Sequence, residues 1–280
     1  MKPAPFAYRR PESLEQALEA LAGEQGAKVL AGGQSLVPLL SMRLAAPAVL
    51  VDVNRVPDLD HVVVTEDEVR VGALARHADV LAHEGARERQ PLLAMALSHV
   101  AHPTIRNRGT TVGSIVHADA AAEMPAVLRL LGGSLEVASV RGRRTIPAAE
   151  LFAGPLESTV AADELALSAS FPALRAGEGV AFAEVSRRHG DYALCGVAGL
   201  VTIEDDAVVA ARLGYLSVSD VPTVVDVTGC SPAEAAERAL AELEPGDDVH
   251  ATAAYRAQLV RVLTARVLAA AAEHARGRSR

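Results

Sequence analysis

Apolar and polar positions along this chain fall into short blocks whose period switches between helical and strand-like. Ser13-Leu14-Glu15-Gln16 reads as a capping box after Pro11, and Leu14, Ala17, Leu18 and Leu21 continue as a helical stripe that stops at Gly23. Residues 28–30 form a short apolar strand, 36–42 a helix and 49–53 a second strand, so the first 55 residues make a β-α-β unit. Apolar runs at 62–64 and 69–72, split by the polar turn 65–68, read as a hairpin. Helical stretches near 77–83 and 91–100 follow, then a glycine-containing loop at 109–114 and a helix over 121–131. A hairpin of 134–140 with 143–146 turns at Arg141-Gly142, and another strand runs near 164–171.

Beyond Phe171-Pro172 the texture changes. Strand-like runs at 180–185, 196–203 and 208–217 come in succession, followed by helices at 231–243 and 252–274. That order predicts an α+β domain built on an antiparallel sheet. Boundaries near 55 and 173 divide the chain into 1–55, 56–173 and 174–280.

Composition narrows the partners. The 280 residues are 50% apolar, enough for a substantial core, and the length allows two or three domains. A net charge of −8 argues against nucleic acid, and 3% aromatics without Trp removes base-stacking platforms. No apolar run follows Met1-Lys2-Pro3-Ala4-Pro5, and no stretch reaches membrane-spanning length, so the expectation is a cytoplasmic protein without membrane insertion. Cys195 and Cys230 are isolated, predicting reduced thiols and no iron–sulfur cluster on this chain.

Two glycine loops carry the candidate chemistry: Ala31-Gly32-Gly33-Gln34-Ser35-Leu36 and Gly109-Thr110-Thr111-Val112-Gly113-Ser114. Glycine lets backbone N–H groups close on a phosphate, and Ser or Thr adds a donor. Two such loops suggest two walls around a diphosphate, hence a dinucleotide. Neither GxxxxGK[ST] nor a GxGxxG after a strand occurs, which excludes the P-loop and ordinary Rossmann readings.

Other residues have plainer readings. His99 and His102 end a helix without a neighbouring ligand in sequence and read as a surface pair, not a metal site. His117 and Asp119 read as positioning residues beside a loop. Arg141, Arg143 and Arg144 read as a solvated hairpin tip, and Leu259, Val262, Leu263 and Val267 as core. Cys195 reads as a buried thiol.

The order of motifs resembles the FAD-binding medium subunit of molybdenum hydroxylases of the xanthine dehydrogenase and carbon monoxide dehydrogenase type. Ala31 to Leu36 matches the family's AGG-x-SL, Arg106-Asn107-Arg108-Gly109-Thr110 its RNxGT, and His117-Ala118-Asp119 its HAD. Arg188-His189-Gly190-Asp191-Tyr192-Ala193 matches RxGDxA, and Tyr255-Arg256 with 259–268 the last helix.

The resemblance implies an α+β fold of the vanillyl-alcohol-oxidase (PCMH) type. Two FAD-binding subdomains, 1–55 and 56–173, would hold non-covalent FAD, with a C-terminal domain of the carbon monoxide dehydrogenase flavoprotein type at 174–280. Val29, Leu30, Ala31, Gly32, Gly33, Gln34, Ser35 and Leu36 would form one wall; Thr110, Thr111, Gly113 and Ser114 would form the other. Val100 would lie beside the cofactor, Asp119 and Glu123 would make acidic contacts to the FAD chain, the Leu165 backbone would meet the flavin's polar edge, and Tyr192 its face. No residue is assigned a catalytic or metal-binding role. The implied partners are a small subunit with 2Fe-2S clusters and a large molybdopterin subunit, in a dimer of heterotrimers. Electrons would leave through FAD to an external acceptor.

Four positions depart from the family pattern: Val112 and Ser114 stand where TIGGN has Gly and Asn, Glu123 replaces Asp, and Glu184 replaces a frequent Lys. Two other readings stand beside this one. One is a self-contained flavin reductase or oxidase of the same fold, resembling UDP-N-acetylenolpyruvoylglucosamine reductase. The other is a subunit that binds no FAD.

Overall fold

Parallel pairing begins the chain. A computed structural model describes residues 2–278, and its first unit comprises β1 (Ala7–Arg9), α1 (Leu14–Gly23), β2 (Ala27–Leu30), α2 (Leu36–Met42) and β3 (Val49–Asp52). The strand order β1-β3-β2 puts β3 in the middle, paired in parallel on both sides. Helical crossovers are what parallel neighbours require, so the β2-α2-β3 segment has the expected form. The apolar pattern gives no sign of β1, because Ala7-Tyr8-Arg9 is a largely exposed edge strand. Ser13 caps α1 by accepting the Gln16 N–H, while the Gln16 side chain accepts from Glu12 N–H at 2.9 Å. The return arm of the predicted box thus lands one residue ahead of the cap.

The second unit opens with the hairpin of β4 (Val62–Val64) and β5 (Glu68–Gly72), followed by helices α3 (His77–Ala82), α4 (Glu84–Arg89) and α5 (Pro91–Leu97). Pro91 at the start of α5 separates it from α4, and the helix read over 91–100 ends at Leu97. Short helices α6 (Pro103–Arg106) and α7 (Thr111–His117) precede α8 (Glu123–Leu131). Then come β6 (Ser134–Ser139), β7 (Gly142–Pro147), α9 (Ala148–Leu151), the ribbon of β8 (Phe152–Gly154) with β9 (Glu157–Ser158), and β10 (Leu165–Pro172). The sheet order β4-β5-β10-β6-β7 is antiparallel throughout and closes on β10, whose Ala169 and Phe171 are fully buried.

In the C-terminal unit, β11 (Glu178–Ser186), β12 (Ala193–Glu204), β13 (Ala207–Leu216) and β14 (Thr223–Asp226) form a consecutive antiparallel sheet. Helices α10 (Pro232–Glu242) and α11 (Ala253–Arg278) follow, and α11 packs on β11 and β12. Leu259, Leu263 and Val267 are core as read, joined by Val260, whereas Val262 is half-buried. Arg256 is buried, donating to the carbonyls of Leu194 and Ser217 and pairing with Asp248. The other face of this sheet receives α8, where Ala126 packs with Ala193 and Leu216. Helix α8 also touches β10, so it lies between the central and C-terminal sheets, beside α5, which packs on β11.

The basic hairpin tip is more constrained than a solvated run. Arg141 pairs with Asp163, Arg143 with Glu136 at 3.2 Å, and Arg144 with the buried Glu164 at 2.7 Å. The acids that hold these arginines come from the neighbouring strand β6 and from the approach to β10, out of sight of a local pattern.

Candidate cofactor-binding site

The first glycine loop leaves β2 and enters α2. Val29 and Leu30 end the strand half-buried, Leu36 begins the helix, and Gly33 takes φ +74, a left-handed conformation that suits glycine. Gly32 has a different reason. A Cβ there would strike the Arg108 carbonyl and sit 2.9 Å from the Gly109 Cα, so the first loop lies backbone against backbone on the second. The contact is latched by polar side chains. Asn54 donates to the Ala31 carbonyl at 2.9 Å, and Arg76 joins Asn54 Oδ1 at 2.7 Å to the Arg108 carbonyl at 2.8 Å.

What the sequence presents as a second glycine loop is largely the first turn of α7. Thr110, in extended backbone, caps it by accepting the Gly113 N–H at 3.1 Å. Gly113 does not take positive φ; a Cβ there would collide with that capping hydroxyl. Thr111 is fully buried, with its hydroxyl 3.2 Å from His77 Nδ1, and Ser114 donates its N–H to the Thr110 carbonyl. Val112 is 2% exposed and belongs to the core, where a β-branched residue fits without disturbing the turn. His77 supports the whole segment. Its N–H donates to the Gly109 carbonyl at 2.9 Å, and burial, then the Arg106 charge, pushes its ring down to about 4.

The turn after α7 joins this wall to the C-terminal unit. Ala118 takes φ +56, the Asp119 carboxylate accepts the Ala121 N–H at 2.9 Å, and the Ala120 carbonyl accepts the Ser217 N–H at 2.8 Å. Burial lowers the pKa of His117. Asp119 stabilises this turn and His117 is the last residue of α7.

A third segment, 187–192, comes over from the C-terminal sheet. Gly190 has φ +86, and a Cβ there would meet the His102 ring at 2.6 Å and the Ala101 carbonyl at 2.9 Å. The segment therefore rests on the loop after α5. That loop is tied by Arg106, which donates to the carbonyls of Val100 at 2.8 Å and Ala101 at 3.0 Å. Tyr192 is 62% exposed, but burial around its hydroxyl and the charges of Asp119 and Glu123 raise its pKa, with Ser35 in reach of the same oxygen. One phenol thus borders both the first loop and the turn after α7. Leu165 opens β10 opposite Ala138, with its side chain buried.

Glu123 and Glu184 are brought together from β11 and the start of α8. Burial, then the Glu184 charge, pushes the Glu123 carboxyl up to about 8. His99 Nδ1 lies 3.4 Å from Glu184 Oε1, and this pairing raises the His99 pKa. His99 is therefore not the free surface residue that its sequence surroundings suggest, since its carboxylate comes from a distant strand. Burial pushes the Cys195 thiol up to about 12, leaving an inert side chain. Among the described residues no group of His, Cys, Asp and Glu could hold a metal ion.

A diphosphate fits what these residues offer. Among the described residues, the backbone N–H groups of Gly32, Gly33, Gln34, Ser35 and Val112 donate to no protein acceptor. Consecutive free amides beside a left-handed glycine are the usual makings of an anion-binding concavity. The network that holds them, Asn54, Arg76, His77 and Arg106, carries no local motif apart from Arg106 in Arg106-Asn107-Arg108.

The family model described as "FAD binding domain in molybdopterin dehydrogenase" matches residues 4–174. The alpha subunit of the 6-hydroxypseudooxynicotine dehydrogenase complex of Paenarthrobacter nicotinovorans is 42% identical, over 99% of this chain and 97% of its own. The carbon monoxide dehydrogenase medium chain of Hydrogenophaga pseudoflava is 32% identical, over 97% and 98%. Quinoline 2-oxidoreductase from Pseudomonas putida 86 superposes with a TM-score of 0.91 at 33% identity, covering all of both chains. The chain belongs, as an oxidoreductase component, to the family of FAD-binding medium subunits of molybdenum hydroxylases.

Proposed function

We propose that this chain is the electron-transfer subunit of a heteromeric molybdenum hydroxylase. It holds FAD non-covalently and passes electrons from the 2Fe-2S clusters of a small subunit to an external acceptor, while substrate is hydroxylated on a large molybdopterin subunit. A dimer of such heterotrimers in the cytoplasm completes the reading. The observation that carries it is the closure of the Gly32 loop on Arg108–Gly109, with consecutive free amides beside it, in a chain that has the family's FAD-binding domain.

Bound FAD supplies exchange between one-electron donors and two-electron acceptors. The chain's own part is to hold and to orient. The amides of Gly32 to Ser35 and of Val112 would donate to the diphosphate. Val29, Leu30, Ala31 and Leu36 would seat the first loop, and Thr110, Thr111, Gly113 and Ser114 would shape the second wall. Val100, Asp119, Glu123, the Leu165 backbone and Tyr192 would border the rest of the cofactor. The domain limits proposed are 1–55, 56–173 and 174–280.

An affinity-tagged chain expressed in its native host should co-purify with a cysteine-rich protein and a much larger one, with iron, molybdenum and stoichiometric FAD in the eluate. A lone flavoprotein, free of both metals and active on an organic substrate, would replace this reading with the self-contained enzyme. Absence of FAD would favour the subunit that binds none.

Tyr192→Ala is expected to keep FAD bound while changing its midpoint potential or its reaction with acceptors. Aromatic stacking contributes about 0.5–1.5 kcal/mol beyond burial, up to roughly tenfold in an equilibrium. Unchanged potential and unchanged acceptor kinetics would remove Tyr192 from the flavin's surroundings.

A further inference from the structure

The seam between α8, β11 and the segment after α5 brings together ionisable groups, two of them buried carboxylates, whose charge balance cofactor contact alone does not explain. Glu184 has a side chain only 3% exposed; one of its oxygens faces His99 Nδ1 at 3.4 Å, and the other, Oε2, is buried without a hydrogen-bond partner among the described residues. The His99 ring packs at 5.3 Å between centroids on Phe182, from the same strand as Glu184. Glu123 is 8% exposed in the first turn of α8, close enough to feel Glu184, His99 and Asp119.

The charge balance of this seam is uneven. The ionisable groups acting on Glu123 are Glu184 from β11, His99 from the segment after α5, and Asp119 from the turn ahead of α8; Tyr192 borders Asp119, and His117 closes α7. From β12 and β13 the neighbours of α8 are apolar, Ala193 and Leu216 packing on Ala126. A single half-exposed imidazole cannot neutralise two buried carboxylates, and an uncompensated buried charge is strongly unfavourable. A shared site of this kind keeps one carboxyl protonated. Glu123 has that role, because its ordinary range is displaced upward while Glu184 holds the imidazole.

We propose that Glu123, Glu184 and His99 form a proton-holding site that carries no net charge of its own at physiological pH on this wall of the flavin pocket, making Glu123 and Glu184 positioning residues that tune the potential of bound FAD. The proposal rests on the cofactor reading for its second half only. Each added negative charge on this wall opposes added electrons, so loss of the Glu123 proton in alkali lowers the flavin's potential. Glu184→Gln removes the charge that helps to keep that proton, so the same transition then occurs at lower pH.

The test separates the two halves. Infrared difference spectroscopy of the FAD-free protein should show the carbonyl stretch of a protonated buried carboxyl at neutral pH, fading as pH passes about 8. The band should be missing in Glu123→Gln and should titrate at lower pH in Glu184→Gln. Its absence from the unmodified protein, or its persistence in Glu123→Gln, overturns the proton-holding site whether or not FAD binds. In FAD-loaded protein, the midpoint potential should fall more steeply with pH above 8 than it does in Glu123→Gln. Parallel curves would overturn the coupling to flavin while leaving FAD binding intact. Failure to bind FAD at all would fall on the cofactor reading instead.

Discussion

Gly32→Ala is expected to lower FAD affinity by at least about a hundredfold, roughly 2.7 kcal/mol, with the C-terminal unit still folded. The added Cβ collides with the Arg108 carbonyl and crowds the Gly109 Cα at 2.9 Å, and both obstacles are backbone. Neither can rotate away as a side chain would. The loops must separate, against the Asn54 and Arg76 bonds that join the Ala31 carbonyl to the Arg108 carbonyl. Overpacking of this kind ordinarily costs about 1–3 kcal/mol in stability as well. Gly33 provides the contrast. Its φ of +74 makes Gly33→Ala a conformational strain of about 1–2 kcal/mol, while Gly33→Asn is milder because Asn visits that region. Gly33→Val, both branched and strained, should lose FAD outright. Flavin-to-protein ratios after desalting, with circular dichroism to verify folding, decide the matter. Full FAD and unchanged stability in Gly32→Ala would mean that the two loops do not touch in solution.

Much of this architecture is legible in the chain because its strands and helices are short, patterned and well punctuated. The hairpin at β4 and β5, helix α8 and the strands β11 to β13 follow directly from apolar periodicity. Helix α7 escapes because Gly109-Thr110-Thr111-Val112-Gly113 has the composition of a loop; only the Thr110 cap and tertiary burial of Thr111, Val112 and Ile115 make it helical. Propensity is a weak prior, and packing overrides it here. Strands β1 and β14 escape for another reason, since each lies at a sheet edge and takes its order from pairing with a neighbouring strand.

The site divides in the same way. Glycines and small hydroxyl residues mark it locally, and the motif order identifies the family. The residues that hold it together do not announce themselves. Asn54 and Arg76 act on carbonyl groups, which any sequence offers. Glu184 meets His99 across a domain seam, so neither residue's sequence surroundings predict the pair. Glycine, too, carries more than one message. Gly33 and Gly190 are needed for backbone angle, Gly32 for close approach, and Gly113 for the space taken by a capping hydroxyl.

Acid should unfold the FAD-binding region through His77. The ring is 4% exposed and its value is displaced from 6.5 down to about 4, by burial first and then by the charge of Arg106. The folded state therefore prefers neutral imidazole more strongly than the unfolded chain does. Stability from this group is fully present above pH 6.5 and is lost as pH falls through about 4. A displacement of that size corresponds to about 3 kcal/mol. Glu123 works in the opposite sense: its contribution is present below the ordinary carboxylate range and is lost as pH rises through about 8. Two buried groups thus bound the stable range from both sides. Because His77 carries the Gly109 carbonyl and the Thr111 hydroxyl, FAD release should accompany the acid transition. Denaturant unfolding at a series of pH values, compared between the natural protein and His77→Gln, isolates the histidine from the carboxylates. The variant should start less stable at neutral pH and approach the natural protein between pH 6.5 and 4. A constant difference between the two curves across that window would show that His77 is protonated at its ordinary value.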